Sequence, residues 1–329
     1  MVVAAALLLV GLGVLAVASD QFVLGAARTA VALRVSPVLV GAVIVGFGTG
    51  LPELLVSGLA AAQGSLELAV GNIAGSNLAN VTLVLGVAGL LAAPDVSPGI
   101  VRREAPISLA AVILFAGVAL GGINRFEATL LLLGLVVAVV LLIRASHAAG
   151  PTGLAEGDEE LVEELGELIE EPDEVDLDDV ASSPRLPNIA RAIAGLLGTV
   201  AGAQLIVMGA TRIARDIGLS DGFVGLTIVA IGTSLPELVT AVQAARRHEL
   251  SLLMGNVLGS NVFNSLAVGG AAGLIGPAAV SERGLVIAIV VMVVVAGMAW
   301  LFLGLGGKLR RWEAGLLLVT YLAVLPFTA

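Results

Sequence analysis

Two glutamates, Glu53 and Glu237, stand in apolar stretches where a charge is expensive. Each occupies the same place in a matched heptapeptide, Gly48-Thr49-Gly50-Leu51-Pro52-Glu53-Leu54 and Gly232-Thr233-Ser234-Leu235-Pro236-Glu237-Leu238. A carboxylate at the centre of a membrane helix costs roughly 2.5–3.5 kcal/mol on insertion scales, so its presence marks a functional position. No Lys or Arg lies near these centres to neutralise it. The proline before each glutamate lacks an N–H and presses on the carbonyl four residues back, that of Gly48 or Gly232. Each helix is therefore expected to kink there and free main-chain oxygens beside the carboxylate. Broken backbone at membrane depth has to face protein or a wet cavity.

A second pair of matched motifs supplies neutral oxygens. Ser76 and Asn80 are four residues apart, as are Ser260 and Asn264, so each pair shares one helix face. With the Thr49, Thr233 and Ser234 hydroxyls they add only oxygen-bearing side chains to the two carboxylates. Hard cations such as Ca²⁺ and Na⁺ take oxygen ligands, about six to eight for Ca²⁺. The chain has no Cys. Its two histidines, His147 and His248, sit beside basic residues at expected helix ends and read as solvated, so soft metals are poorly served. Two carboxylates balance one Ca²⁺ or two monovalent ions. Emptied, the pair would repel in low dielectric and protons would compete with the metal, a physical route to obligatory exchange. Ser76 and Ser260 also suit close helix packing beside Gly75 and Gly259. Asn72, Asn77, Asn256 and Asn261 read as amides that hold helices together.

The elements that must position these groups are membrane helices. Of 329 residues, 58% are hydrophobic and 13% charged; a soluble domain is nearer 25% charged. Apolar runs predict ten helices, near 2–30, 37–62, 67–92, 105–121, 126–145, 188–214, 222–246, 250–275, 284–305 and 312–327. Residues 2–18 resemble a signal peptide but lack a positive start, and they read as the first helix. The net charge of −10 is local. The 24 residues from Glu156 to Asp179 hold 14 of the 26 acidic residues and no Lys or Arg, leaving 12 acidic against 16 basic elsewhere. Residues 146–187 accordingly read as a solvated acidic linker, with a short amphipathic helix over 159–171.

Laying 36–80 over 220–264, an offset of 184, needs no gap and gives 21 identities in 45 positions. Upstream, Gly25-Ala26-x-Arg28 meets Gly209-Ala210-x-Arg212. The expected organisation is all-α: a first five-helix repeat over 1–145, the linker 146–187, and a second five-helix repeat over 188–329. An odd number of helices per repeat inserts the two in opposite senses, an arrangement of secondary transporters with a midplane site. With the N-terminus outside, 12 of the 16 Lys and Arg fall on the inner side, which puts the linker in the cytoplasm.

The doubled motifs, Gly-Thr-Gly-Leu-Pro-Glu with Gly-Ser-Asn-Leu-Ala-Asn and Gly-Thr-Ser-Leu-Pro-Glu with Gly-Ser-Asn-Val-Phe-Asn, resemble the α-repeats of the cation/Ca²⁺ exchanger superfamily, in its prokaryotic sodium/calcium exchanger branch. The resemblance covers nearly all of the chain outside the linker. It implies ten helices, four central cation sites, and sliding of helices 1 and 6 to alternate access. By position it makes Glu53 and Glu237 the main Ca²⁺ ligands and adds carbonyls near Gly46 and Ala230 to Na⁺ sites. Many members have serine where this chain has Gly50 and aspartate where it has Asn264. The expected function is Ca²⁺/Na⁺ antiport in the cell membrane by a monomer, with H⁺/Ca²⁺ antiport as the alternative and a passive cation channel behind both. No organic cofactor or nucleic-acid partner is expected. Nor is an enzyme: there is no nucleophile elbow, metalloprotease His pair or phosphate-binding loop.

Overall fold

In the computed structural model, residues 2–33, 37–64, 66–93, 96–148, 185–216, 230–247, 249–277, 283–305 and 307–328 are described. The expected helix over 159–171 and His248 lie outside them. The fold is all-helical, as anticipated. In chain order the α-helices are α1 (Val2–Leu33), α2 (Pro37–Val40), α3 (Gly46–Thr49), α4 (Leu51–Ala62), α5 (Leu66–Ala79), α6 (Leu85–Ala92), α7 (Ala105–Gly121), α8 (Arg125–Ala148), α9 (Arg185–Asp216), α10 (Ala230–Thr233), α11 (Leu235–Arg246), α12 (Leu250–Val262), α13 (Gly269–Ile275), α14 (Arg283–Gly304) and α15 (Arg311–Thr328).

Among the described residues, seven helical stretches are each long and apolar enough to cross a membrane. An eighth is a broken span, Val38–Thr49 with Leu51–Ala62, bent by 44°. The expected span 222–246 is described only from Ala230 onward, and α15 begins on charged residues. The stretches Leu66–Ala92 and Leu250–Ile275 are 78% buried, against 22% for Val2–Ala26 and for Arg125–Ala145. The two helices carrying the serine and asparagine pairs are therefore central, and α1 and α8 are peripheral.

Glycines set how closely the helices approach. On α1 and α9, Gly25 abuts Ala192 and Asn188, Gly202 abuts Leu15 and Gly11, and Gly209 abuts Ala4 and Leu8, backbone against backbone. Contact positions rise along α9 as they fall along α1, so the two run antiparallel. They are also equivalent helices of the sequence repeat. Equivalent helices in opposite directions are what inverted repeats require. Close backbone approach through small residues is how helices associate without a hydrophobic driving force between them. Asp20 of α1 accepts hydrogen bonds from the Arg247 guanidinium, just past the end of α11, which joins this pair to the bundle.

Wide π turns interrupt the central helices at Gly41–Val45, Asn80–Val84 and Phe263–Val268. Such turns add a residue to the helix and are common at functional sites. Here two of them begin at or just before Asn80 and Asn264, and the third ends at Val45, next to Gly46.

Two apolar clusters fill the interior. One contains Val40, Val45, Leu78, Leu85, Leu252 and Val257, the other Ala60, Leu66, Ile73, Ala74, Val262 and Leu266. Along each central helix the change from one cluster to the other falls at the polar motif: between Ala74 and Leu78 lies Ser76, between Val257 and Val262 lies Ser260, and between Val45 and Ala60 lies Glu53. The polar groups thus form a layer between two dry ones.

Candidate cation-binding site

Each glutamate sits in the first turn of a helix that restarts after a break. Gly50 (φ −77°, ψ 1°) interrupts the first span and Ser234 (φ −89°, ψ 4°) the second, with Pro52 and Pro236 following just inside the new helix. Both are near the sparsely populated bridge region that recurs at active sites. The break falls at the residue before Leu-Pro-Glu, because proline is well accommodated in a first helical turn, where its missing N–H has no helical partner anyway. The carboxylates are then placed at helix N-termini, whose unpaired N–H groups and dipole favour negative charge.

The two halves interlock at this level. Glu53 and Glu237 are 0% and 1% exposed, and each feels the other's charge. The Ser76 hydroxyl donates to Glu53 Oε1 at 3.4 Å. Thr233 and Ser234, from the opposite half, also face Glu53, while Thr49 faces Glu237. The Gly46 carbonyl accepts from Ser260 Oγ at 3.3 Å and lies 3.5 Å from Thr49 Oγ1. It can turn toward Ser260 because Gly46 has no Cβ; one there would strike the Ser260 nitrogen at 2.7 Å. Ala230 opens α10, at the position equivalent to Gly46. Asn80 and Asn264 are 1% and 0% exposed; Asn80 Nδ2 donates to Asn261 Oδ1 at 3.3 Å.

Among the described residues, much of this layer's polarity has no hydrogen-bond partner. Glu53 Oε2, both Glu237 oxygens, Asn80 Oδ1, both polar atoms of Asn264 and Ser234 Oγ are buried without a hydrogen bond. A buried unsatisfied group costs about 1–3 kcal/mol, more when charged. Most of these atoms are oxygens, and a hard cation is the species that satisfies several oxygens and two carboxylates at once. Among the described residues no three Asp, Glu or His converge, so any ion here meets two acids and neutral oxygens. The donor set fits Ca²⁺ or Na⁺ as cargo.

The amides read from sequence as structural do hold the layer together. Asn77 Nδ2 donates to Ser265 Oγ at 2.9 Å, linking the halves, and Asn256 Oδ1 lies 3.4 Å from Ser260 Oγ and 3.5 Å from Thr49 Oγ1. Two further hydroxyls do not stand out in the sequence. Ser57 and Thr240, one turn beyond each glutamate, are 0% and 1% exposed, and Thr240 Oγ1 is unpaired. Their spacing from the glutamates, i+4 and i+3, was the available signal.

This arrangement has close counterparts. The sequence profile of the family described as sodium/calcium exchanger protein matches residues 3–144 and 188–328. The chain belongs to the sodium/calcium exchanger family. It is a multi-pass membrane transporter of that family. The exchanger MaX1 of Methanosarcina acetivorans is 32% identical over 343 residues, covering 97% of this chain and 96% of the relative. CaxA of Alkalimonas amylolytica, an antiporter by its provisional description, is 37% identical over 313 residues, 94% of this chain and 93% of the relative. Among solved structures, the sodium–calcium exchanger NCX_Mj soaked with 10 mM Na⁺ superposes with a TM-score of 0.82 at 27% identity, over 98% of this chain and 97% of that one.

The exchanger geometry gives one direct expectation for Ser76. Ser76→Ala removes the hydroxyl that reaches Glu53 and should weaken Ca²⁺ half-saturation about three- to tenfold, near the 0.5–1.5 kcal/mol typical of one hydrogen bond. Titration calorimetry in detergent checks this; unchanged Ca²⁺ binding would assign Ser76 to packing alone.

Proposed function

We propose that this chain is a secondary antiporter that exchanges Ca²⁺ for Na⁺ across the cell membrane by alternating access. The observation that carries the reading is the meeting of Glu53 and Glu237, both fully buried at helix breaks and surrounded by unpartnered oxygens. Ca²⁺ would be held between the two carboxylates, with Ser76, Ser260, Asn80 and Asn264 adding neutral oxygens. Na⁺ would be held by the same acids together with Thr49, Thr233, Ser234 and the Gly46 and Ala230 carbonyls. In either case the ions offset the charge that otherwise strains the buried pair. In this reading 1–145 and 188–329 are the two repeats, joined by the cytoplasmic linker 146–187. The N-terminus faces outside, and a single chain suffices for transport.

The test is uptake of radiolabelled Ca²⁺ into proteoliposomes loaded with Na⁺ and diluted into Na⁺-free buffer. Uptake should need the outward Na⁺ gradient and should stop when K⁺ replaces Na⁺ inside. Ca²⁺ entry with no counter-ion present would instead describe a passive pore.

A second reading, H⁺/Ca²⁺ antiport, is favoured by one observation. Asn264 is 0% exposed and both of its polar atoms are unpaired, so the layer holds a neutral amide at a position where a third acid would fit. With only two carboxylates, protons can neutralise the pair without a monovalent metal. Asn264→Asp adds that acid, and an added negative charge acts about twice as strongly on Ca²⁺ as on Na⁺. Ca²⁺ binding measured by titration calorimetry is therefore expected to tighten about tenfold or more, on the order of 1.5–3 kcal/mol for a contact to a charged group. Uptake driven by a pH gradient with no Na⁺ present would support the second reading and displace the first.

A further inference from the structure

The two halves of the cation layer are not equally supplied with oxygen, and the difference traces to one pair of side chains. Among the described residues, the hydroxyls of Ser76, Thr233 and Ser234 face Glu53, and from the opposite half that of Thr49 faces Glu237. At the 184-residue offset, Ser234 corresponds to Gly50, and Phe263 corresponds to Ala79. The half that lost a hydroxyl therefore meets a helix that gained a ring. The two changes are in contact. A Cβ built on Gly50 would lie 2.7 Å from Phe263 Cδ1 and 3.1 Å from its Cε1, closer than side chains tolerate. The ring is 8% exposed and packs on Phe47 with centroids 4.9 Å apart, so it has little room to withdraw. Position 231, the counterpart of Phe47, is isoleucine.

We propose that Gly50 and Phe263 form a size-matched pair that withholds a hydroxyl from the Glu237 side of the layer and thereby sets how strongly Na⁺ competes with Ca²⁺. The inference rests on the exchange reading above. Its physical basis is the unequal dependence of the two ions on neutral ligands. A divalent ion between both carboxylates draws on two full charges and loses little when one neutral oxygen is absent. A monovalent ion beside Glu237 meets a single full charge, so neutral oxygens make up a larger share of its binding. Phe263 supplies none and keeps water from taking the missing place.

The experiment compares four purified proteins in detergent and in proteoliposomes: wild type, Phe263→Ala, Gly50→Ser/Phe263→Ala and Gly50→Ala/Phe263→Ala. The reading is the Na⁺ concentration that halves Ca²⁺ binding. Relative to Phe263→Ala, the serine double variant should need about fivefold less Na⁺ while Ca²⁺ affinity in Na⁺-free buffer stays within about twofold, the scale of one added oxygen contact. The alanine double variant should show no such gain, since it adds a methyl without an oxygen. Gly50→Ser alone, with the ring in place, should lower Tm and leave Na⁺ competition unimproved. Where Phe263→Ala leaves too large a cavity to fold, Phe263→Val serves in the same comparison. A serine double variant that matches the alanine one overturns the proposal, as does full gain from Gly50→Ser alone. If wild type shows no response to Na⁺, the exchange reading falls by itself, and the pair is still judged by the difference between the two double variants.

Discussion

Replacing either Glu53 or Glu237 by glutamine is expected to reduce Na⁺-driven Ca²⁺ uptake to the background of empty liposomes while the protein still folds. Both carboxylates are buried in the polar layer and lie within each other's field. Losing one charged contact in such a desolvated site costs about 2–5 kcal/mol, or roughly thirty- to several-thousandfold in binding. The stability result should run the other way. In ion-free buffer the two buried acids face each other with few partners, since both Glu237 oxygens and Glu53 Oε2 have no hydrogen bond among the described residues. An amide of the same shape removes one acid of this crowded pair, so Tm without Ca²⁺ should hold or rise. The wild type should gain about 2.7 kcal/mol at Ca²⁺ a hundredfold above its Kd, and the variants should lose that gain. Robust uptake by either variant would sink the site.

Gly259→Val should disable the protein by a different route. Gly259 lies one residue before Ser260, and its missing side chain leaves room for the Ala42 backbone. Any Cβ there would overlap the Ala42 carbonyl and Cα, which belong to a π turn and cannot rotate aside as a side chain can. Gly41 and Gly255 make the same kind of approach one turn away, so relief by shifting the helices would break a second contact. Overpacking a close interior typically costs about 1–3 kcal/mol, and a clash with fixed backbone belongs at or above the upper end. A large fall in Tm, or aggregation on extraction, is the expected outcome. A Tm within a degree of wild type would mean the two helices separate easily, against the geometry seen here.

Both predictions concern positions visible in the sequence, yet they were legible to different degrees. Glu53 and Glu237 announced themselves because a charge in a long apolar run has few explanations. The four-residue spacing of Ser76 with Asn80 and Ser260 with Asn264 placed each pair on one face. Gly259 was different: sequence offered close packing as one option but could not name Ala42 as the neighbour. Ser57 and Thr240 do not stand out, because a lone hydroxyl in an apolar helix carries little signal until its burial is known.

The sequence by itself determined that the chain is helical and membrane-embedded, that it is a duplicated unit, and which motifs recur in both copies. Those properties are one-dimensional: hydrophobic run length, helical spacing and internal identity do not depend on what a residue later touches. Tertiary structure alone decided that Thr233 and Ser234 of one half face the carboxylate of the other, that Gly46 turns its carbonyl toward Ser260, and that Phe263 fills the place left by Gly50. These are contacts between residues some 180 to 215 positions apart. They follow from how two inverted units cross, which local propensity cannot encode.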